Sequence, residues 1–163
     1  MITTAIKAGV ASVEVAGPAV DSMTRLNDVG ASVAADGGAT GCTDVTGFGL
    51  VGHLGRMARE SSVTVTVEFD AIPFLPGAVD LPQEGIMPGG GRRNLAWGKT
   101  LLDPGSHDEL DQLLVADAQT SGGLVFGVDP GETSTVLAAL AATDHDAAPI
   151  GSTSVGDGGL KLR

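Results

Sequence analysis

The chain has 163 residues, 42% of them hydrophobic, and carries 20 acidic against 9 basic side chains for a net charge of −11. That length suits one domain with a proper core, and the missing basic patch excludes the usual nucleic-acid binder, just as the acidity opposes docking to anionic membranes. No apolar stretch nears the roughly eighteen residues of a membrane helix and no leader-like opening is present, so a soluble, cytoplasmic protein is expected.

From the start of the chain, Thr3 and Thr4 suit the cap of a short helix through Lys7. Met23, Leu26 and Val33 recur at helical spacing, which predicts one helix over 19–35, ended by Gly37-Gly38. A short apolar strand is expected over 39–42. Cys42, the only cysteine, excludes an internal disulfide and reads as a small buried hydrophobe. The heptad Thr43-Asp44-Val45-Thr46-Gly47-Phe48-Gly49 then leads into an amphipathic helix over 50–59. Val63, Val65, Val67 and Phe69 alternate with polar residues, the pattern of a strand with one buried face.

The stretch 72–104 is rich in Pro and Gly, with one short helix near 77–83 and a loop at Gly89-Gly90-Gly91-Arg92-Arg93-Asn94. Trp97 is expected to anchor that loop on the core. Ser106 with Glu109 three residues on forms a capping-box start for a helix carrying Leu110, Leu113 and Leu114. A strand over 124–128, a helix over 130–142 and two short strands around Gly156-Asp157-Gly158-Gly159 complete the chain. Helices and strands interleave, so the expected fold is one layered α/β (α+β) domain, a mixed sheet packed with helices and built on Val, Leu, Ile and Ala because aromatics are scarce.

Three polar loops carry the chemistry. In the heptad, a carboxylate, two hydroxyls and two glycines sit where a strand feeds a helix. The first amides of a helix lack intrahelical partners and that end is electropositive, which suits phosphate oxygens; a neighbouring carboxylate suits Mg²⁺. Asp and Thr are also ordinary capping residues and Gly an ordinary turn residue, so the turn by itself leaves both readings open. The second loop sets two arginines and an asparagine after three glycines, and Arg grips phosphate in a fork. The third, Asp117-Ala118-Gln119-Thr120-Ser121-Gly122-Gly123, repeats the ingredients of the first. Together they fit one pocket lined by loop ends. The three histidines, His53, His107 and His145, have no metal-ligand spacing, and His53 reads as a surface or capping residue.

The eleven residues from Thr43 to His53, the loop Gly90 to Asn94 and the loop Gln119 to Gly123 closely resemble selenophosphate synthetase (selenide, water dikinase), in that family's order and approximate spacing. The match is to the family's C-terminal half, which is similar to the C-terminal domain of aminoimidazole ribonucleotide synthetase, with some likeness to a ferredoxin-like arrangement. The resemblance implies that residues 1–163 are a single C-terminal domain and that the N-terminal ATP-binding domain, with the reactive Cys or Sec and the other metal aspartates, is absent. It implies an enzyme that uses ATP and Mg²⁺ to convert selenide to selenophosphate, AMP and orthophosphate, working as a homodimer.

On that resemblance Asp44 is the metal ligand this half contributes, Thr46, Gly47 and Gly49 shape the helix start, and Arg93 and Asn94 lie on the phosphate side. Expected partners are the N-terminal domain, a second subunit, ATP and selenide, with neither nucleic acid nor membrane. Ala118 stands where the family usually has proline, which loosens that turn. The alternatives are a non-catalytic dimerisation or docking module, and a related synthetase domain for purine, thiamine or hydrogenase maturation; Phe48 and the Arg92-Arg93-Asn94 loop argue against the latter.

Overall fold

A computed structural model describes residues 1–163. In chain order the elements are helices α1 (Ile2–Lys7), α2 (Val13–Thr24) and α3 (Asp28–Asp36), strand β1 (Gly41–Asp44), helix α4 (Gly49–Glu60), strand β2 (Val63–Val67), helix α5 (Gly89–Gly98), strand β3 (Leu102–Asp103), helix α6 (Glu109–Val115), strand β4 (Leu124–Gly127), helix α7 (Thr133–Ala141) and strands β5 (Gly151–Val155) and β6 (Gly159–Leu162). The layered mixed α/β architecture read from the sequence holds. No helix is long and apolar enough to cross a membrane.

The strands form two sheets. One is a four-stranded mixed sheet in the order β3-β6-β2-β5, with β2 antiparallel to β5 and parallel to β6. The other is the antiparallel pair β1-β4, in which Asp44 faces Leu124 and Cys42 faces Phe126. The expected C-terminal strands are present, but they do not pair with each other: β2, with Val65 and Val67 buried, lies between them. Burying that apolar strand on both edges satisfies more backbone than a free hairpin would.

Helix α4 bridges the two sheets. Its stripe Val51, Leu54 and Ala58 packs with Val65, Val67, Leu160 and Leu162 in one core cluster. A second cluster joins Met1, Ile2, Ala5 and Ala19 to Leu81, Leu95, Leu113 and Leu114. Helix α6 ties them together, because Val115 belongs to the first cluster and its neighbour Leu114 to the second.

Several expectations are corrected. The single helix over 19–35 is two, broken at Arg25, where the backbone is extended and the Thr24 hydroxyl bonds back to the Val20 and Asp21 carbonyls. Leu26, counted into the apolar stripe, is exposed. Residues 76–85 are turns, with Gly77 and Gly85 at positive φ, and hold no helix.

The glycine-arginine loop is the first part of α5: a Cβ on Gly98 would sit 2.6 Å from the Val51 side chain, so glycine there serves close helix packing. Helix α6 is capped by Asp108, which accepts from Leu110 N–H and Asp111 N–H at 2.8 and 3.1 Å, and Glu109 instead faces Arg92 at 3.4 Å. Ser106 caps nothing: it lies in the turn with Gly105, two residues ahead of the capping position that Asp108 holds.

Candidate functional site

Strand β1 runs two residues later than expected, so Asp44 is its last residue and lies outside the turn in which the sequence placed it. Residues along β1 alternate in exposure, and Cys42 and Asp44 share the solvent face. Cys42 is therefore exposed, not a buried hydrophobe: a two-stranded ribbon covers one face only. Partial burial, and secondarily the Asp44 carboxylate beside it, pushes its thiol up. The Asp44 carboxylate itself takes part in no hydrogen bond or ion pair within the chain; only its backbone carbonyl is engaged, by Thr43 Oγ1 at 3.2 Å.

Beyond Asp44 the backbone is held from several sides. Val45 N–H donates to the Gly123 carbonyl at 2.9 Å. The Thr46 carbonyl accepts from Gly49 N–H at 2.9 Å and from Gln119 N–H at 3.0 Å, and its hydroxyl meets His53 Nε2 at 3.0 Å. His53, half-buried in α4, meets the Thr46 hydroxyl and caps no helix end, so it is neither the surface nor the capping residue expected. Asn94 Nδ2 donates to the Gly47 carbonyl at 2.9 Å and the Ala116 carbonyl at 3.1 Å.

Gly49 has φ +68°, and a Cβ there would fall 2.7 Å from the Ala116 carbonyl carbon and 2.8 Å from the Asp117 oxygen. Only glycine allows that approach. The heptad, the start of α5 and the turn after α6 are therefore clasped into one junction, as the three polar loops suggested.

Within it the sequence-assigned residues have distinct fates. Asp44 and Arg93 are exposed, and Arg93 makes no ion pair. Thr46 and Asn94 are half-buried and committed to holding the turn, and Gly47 is exposed with open space where a side chain would be. Phe48 stands at the capping position of α4, no side chain caps that helix, and its first amide, Gly49 N–H, is already taken by the Thr46 carbonyl. A depression of about 440 Å³ between Thr64, Asp103, Asp157 and Lys161 touches none of these residues.

Trp97 does not anchor α5 to the core. It is 51% exposed and leans on Phe48, itself 61% exposed, with ring centroids 6.0 Å apart. The residue least visible to sequence reasoning is Asp117, the one buried charged side chain. Its Oδ2 is bonded by the Met1 amino group and its Oδ1 has no partner. Burial pushes its carboxyl pKa up, against the pull of that ammonium. Its only sequence signal was the likeness of its turn to the heptad.

The junction fits a hard divalent cation as a partial site. An unengaged carboxylate is the right donor, but no group of three His, Cys, Asp or Glu converges anywhere in the chain. A cation at Asp44 would draw its remaining ligands from phosphate, water or another polypeptide segment.

The family described as AIR synthase related protein, C-terminal domain, matches residues 11–162. The chain is 40% identical over 163 residues to a selenide, water dikinase of Myxococcus xanthus, covering 98% of this chain and 46% of that protein. The corresponding protein of Photobacterium profundum is 42% identical over 144 residues, 87% of this chain and 41% of the relative. That of Yersinia pseudotuberculosis is 39% identical over 158 residues, 96% and 44%. A solved thiamine-monophosphate kinase from Stenotrophomonas maltophilia covers 74% of this chain and 30% of its own at 17% identity and TM-score 0.48. The chain spans less than half the length of the curated relatives it matches. It belongs to the AIR synthase related protein C-terminal domain family, within which the relatives it resembles along most of its length are selenide, water dikinases.

Proposed function

We propose that this chain is the part of an ATP-dependent selenide, water dikinase that contributes Asp44 as one Mg²⁺ ligand. The rest of the site comes from a domain outside these 163 residues. The observation that carries this reading is the unengaged, exposed carboxylate at the end of β1, held in place by a backbone clasp that leaves the side chain itself free. Mg²⁺ bridges phosphate oxygens and offsets charge as phosphoryl groups move, and it is comfortable with one or two carboxylates.

Gly49 and Thr46 fix the start of α4, the Thr46 carbonyl taking the Gly49 N–H. Gly47 leaves open space where a side chain would be. Arg93, exposed and unpaired, supplies a cation for a phosphate oxygen. Asn94 acts from behind, its amide nitrogen holding the Gly47 carbonyl. ATP, selenide and a second subunit would meet the site only once the other domain is in place.

The test is to combine the chain with a separately produced N-terminal domain from one of the selenide, water dikinases and to assay selenide-dependent AMP. The expected outcome is AMP from the pair, none from the chain alone, and none from the pair carrying Asp44→Asn. AMP at parental rate with Asp44→Asn would remove the metal role and leave a scaffold.

A further inference from the structure

We infer that two copies of this chain associate through the outer edge of β5, pairing antiparallel about a two-fold axis at Thr153. The inference goes beyond the metal-ligand reading and needs nothing outside these 163 residues.

Strand β5 ends the four-stranded sheet and has β2 as its one neighbour. All of its residues are exposed, which is true of no other strand, and Val155 is 99% exposed. The phase of the ladder fixes which backbone groups are spare. Glu68 N–H donates to the Ile150 carbonyl at 2.9 Å and Gly156 N–H to the Ser62 carbonyl at 3.4 Å. In an antiparallel ladder of that register, Ser152 and Ser154 also turn their backbone toward β2. Gly151, Thr153 and Val155 turn theirs outward, where the sheet has no further strand.

The two ends of this sheet are guarded differently. At the far end β3 is two residues long and carries Asp103, with the Arg163 guanidinium 3.9 Å from that carboxylate. Shortness and edge charge are ordinary defences against strand addition. Strand β5 has neither. Residues 147–156 hold no charged side chain, and no proline or positive-φ residue interrupts 151–155.

A second β5 fits this edge in register and in charge. With the axis at Thr153, Gly151 of one copy faces Val155 of the other and Thr153 faces Thr153, so spare donors meet spare acceptors on both strands. The threonines form a favourable cross-strand pair. Asp157 of each copy falls opposite Pro149 of the other, whereas a parallel in-register pairing would set the two Asp157 carboxylates side by side. In a chain of net charge −11, the uncharged edge lets two copies meet without like charges opposed.

Sedimentation velocity and amide hydrogen exchange of the chain, compared at about 10 µM and about 1 mM, test this. A single strand pair is a small interface, so a dissociation constant on the order of 0.1 mM is expected. Exchange at Thr153 and Val155 should slow roughly 4-fold across that range, while Ser152 and Ser154, bonded to β2 at either concentration, should not change. Thr153→Lys sets two cations against each other across the axis and should weaken association about 10-fold or more. Thr153→Pro deletes an outward donor and no bond to β2, and should act in the same direction. Val13→Lys, at a residue 81% exposed on α2, should leave association at the parental value.

A chain that stays monomeric at the higher concentration, slowing that does not alternate along β5, or association indifferent to both Thr153 variants overturns the inference. So does loss of association in Val13→Lys, since charge anywhere on the surface would then suffice. Slowing at the lower concentration on adding the separately produced portion of the Myxococcus xanthus relative outside the matched residues would give the edge to that segment, and overturns it too.

Discussion

Two turns of this chain are written with the same ingredients and put them to opposite use. Thr43–Gly49 and Asp117–Gly123 each hold a carboxylate, hydroxyls and glycines, and the two segments are hydrogen-bonded to each other through the Thr46 carbonyl and Gln119 N–H. Yet Asp44 is exposed and unengaged, while Asp117 is 7% exposed and serves as an internal polar group. The difference comes from what precedes each carboxylate. Asp44 ends a ribbon covered on one face only, and Asp117 follows α6, whose last residues Leu113, Leu114 and Val115 are pulled into both core clusters. One turn supports and the other presents, and each claim can be broken by substitution.

The supporting half gives the largest expected effects. Gly49→Ala forces a Cβ into the Ala116–Asp117 backbone at a residue with φ +68°, so it combines positive-φ strain with a clash that only main-chain movement can relieve. A loss of about 3 kcal/mol or more in unfolding free energy is expected by chemical denaturation. Parental stability would mean the junction is looser than its contacts. Asn94→Ala removes both bonds from Nδ2 to the Gly47 and Ala116 carbonyls and should cost about 2 kcal/mol. Arg93→Ala next to it, exposed and unpaired, should fall within about 0.5 kcal/mol of the parent in the same measurement.

Asp117→Asn tests the buried carboxylate by pH. Its raised pKa means that the folded state holds the proton more tightly than the unfolded chain. Between the ordinary carboxylate range and the raised value the folded state binds more protons, so this group's contribution is fully present at low pH and declines as pH rises. Thermal melts of parent and Asp117→Asn across about pH 4 to 7 should therefore show a difference that moves in favour of the variant as pH increases. A constant offset would mean that Asp117 titrates in the folded protein as it does in the unfolded one.

These contrasts mark how far sequence reasoning reached. Periodicity located α4 and β2 closely, because both bury one clean face. It merged α2 with α3 because apolar spacing continues across Thr24, whose hydroxyl ends the helix by bonding backward, a local competition that spacing does not encode. It read Gly89–Asn94 as a loop because glycine is a poor helix former, whereas these residues open α5; a Cβ at Gly89, Gly90 or Gly91 would meet only ordinary contacts, and the close approach that calls for glycine is that of Gly98 to Val51. Asp44 was found through a contiguous motif. The clasp behind it was visible only as ingredients, since Asn94 reaches Gly47 from 47 residues away and Ala116 reaches Gly49 from 67, and their pairing belongs to the tertiary fold.

The smallest expected effect on folding is the one that bears most on function. Asp44→Asn keeps size and shape at an exposed strand end and severs no bond, because the carboxylate makes none. Stability within about 0.5 kcal/mol of the parent is expected. The carboxylate also sits by Cys42, whose thiol it helps hold up, so the variant should ionise Cys42 at slightly lower pH, readable as faster thiol alkylation at a fixed alkaline pH. A cation at Asp44 would work against that: bound positive charge offsets the carboxylate, so added Mg²⁺ should speed alkylation in the parent and leave Asp44→Asn unchanged. Because one carboxylate in water is a weak site, the Mg²⁺ effect should become marked only once the companion domain is present. A variant that melts well below the parent would place Asp44 with Asp117, among the residues that hold this junction together, and would remove the distinction between the two turns.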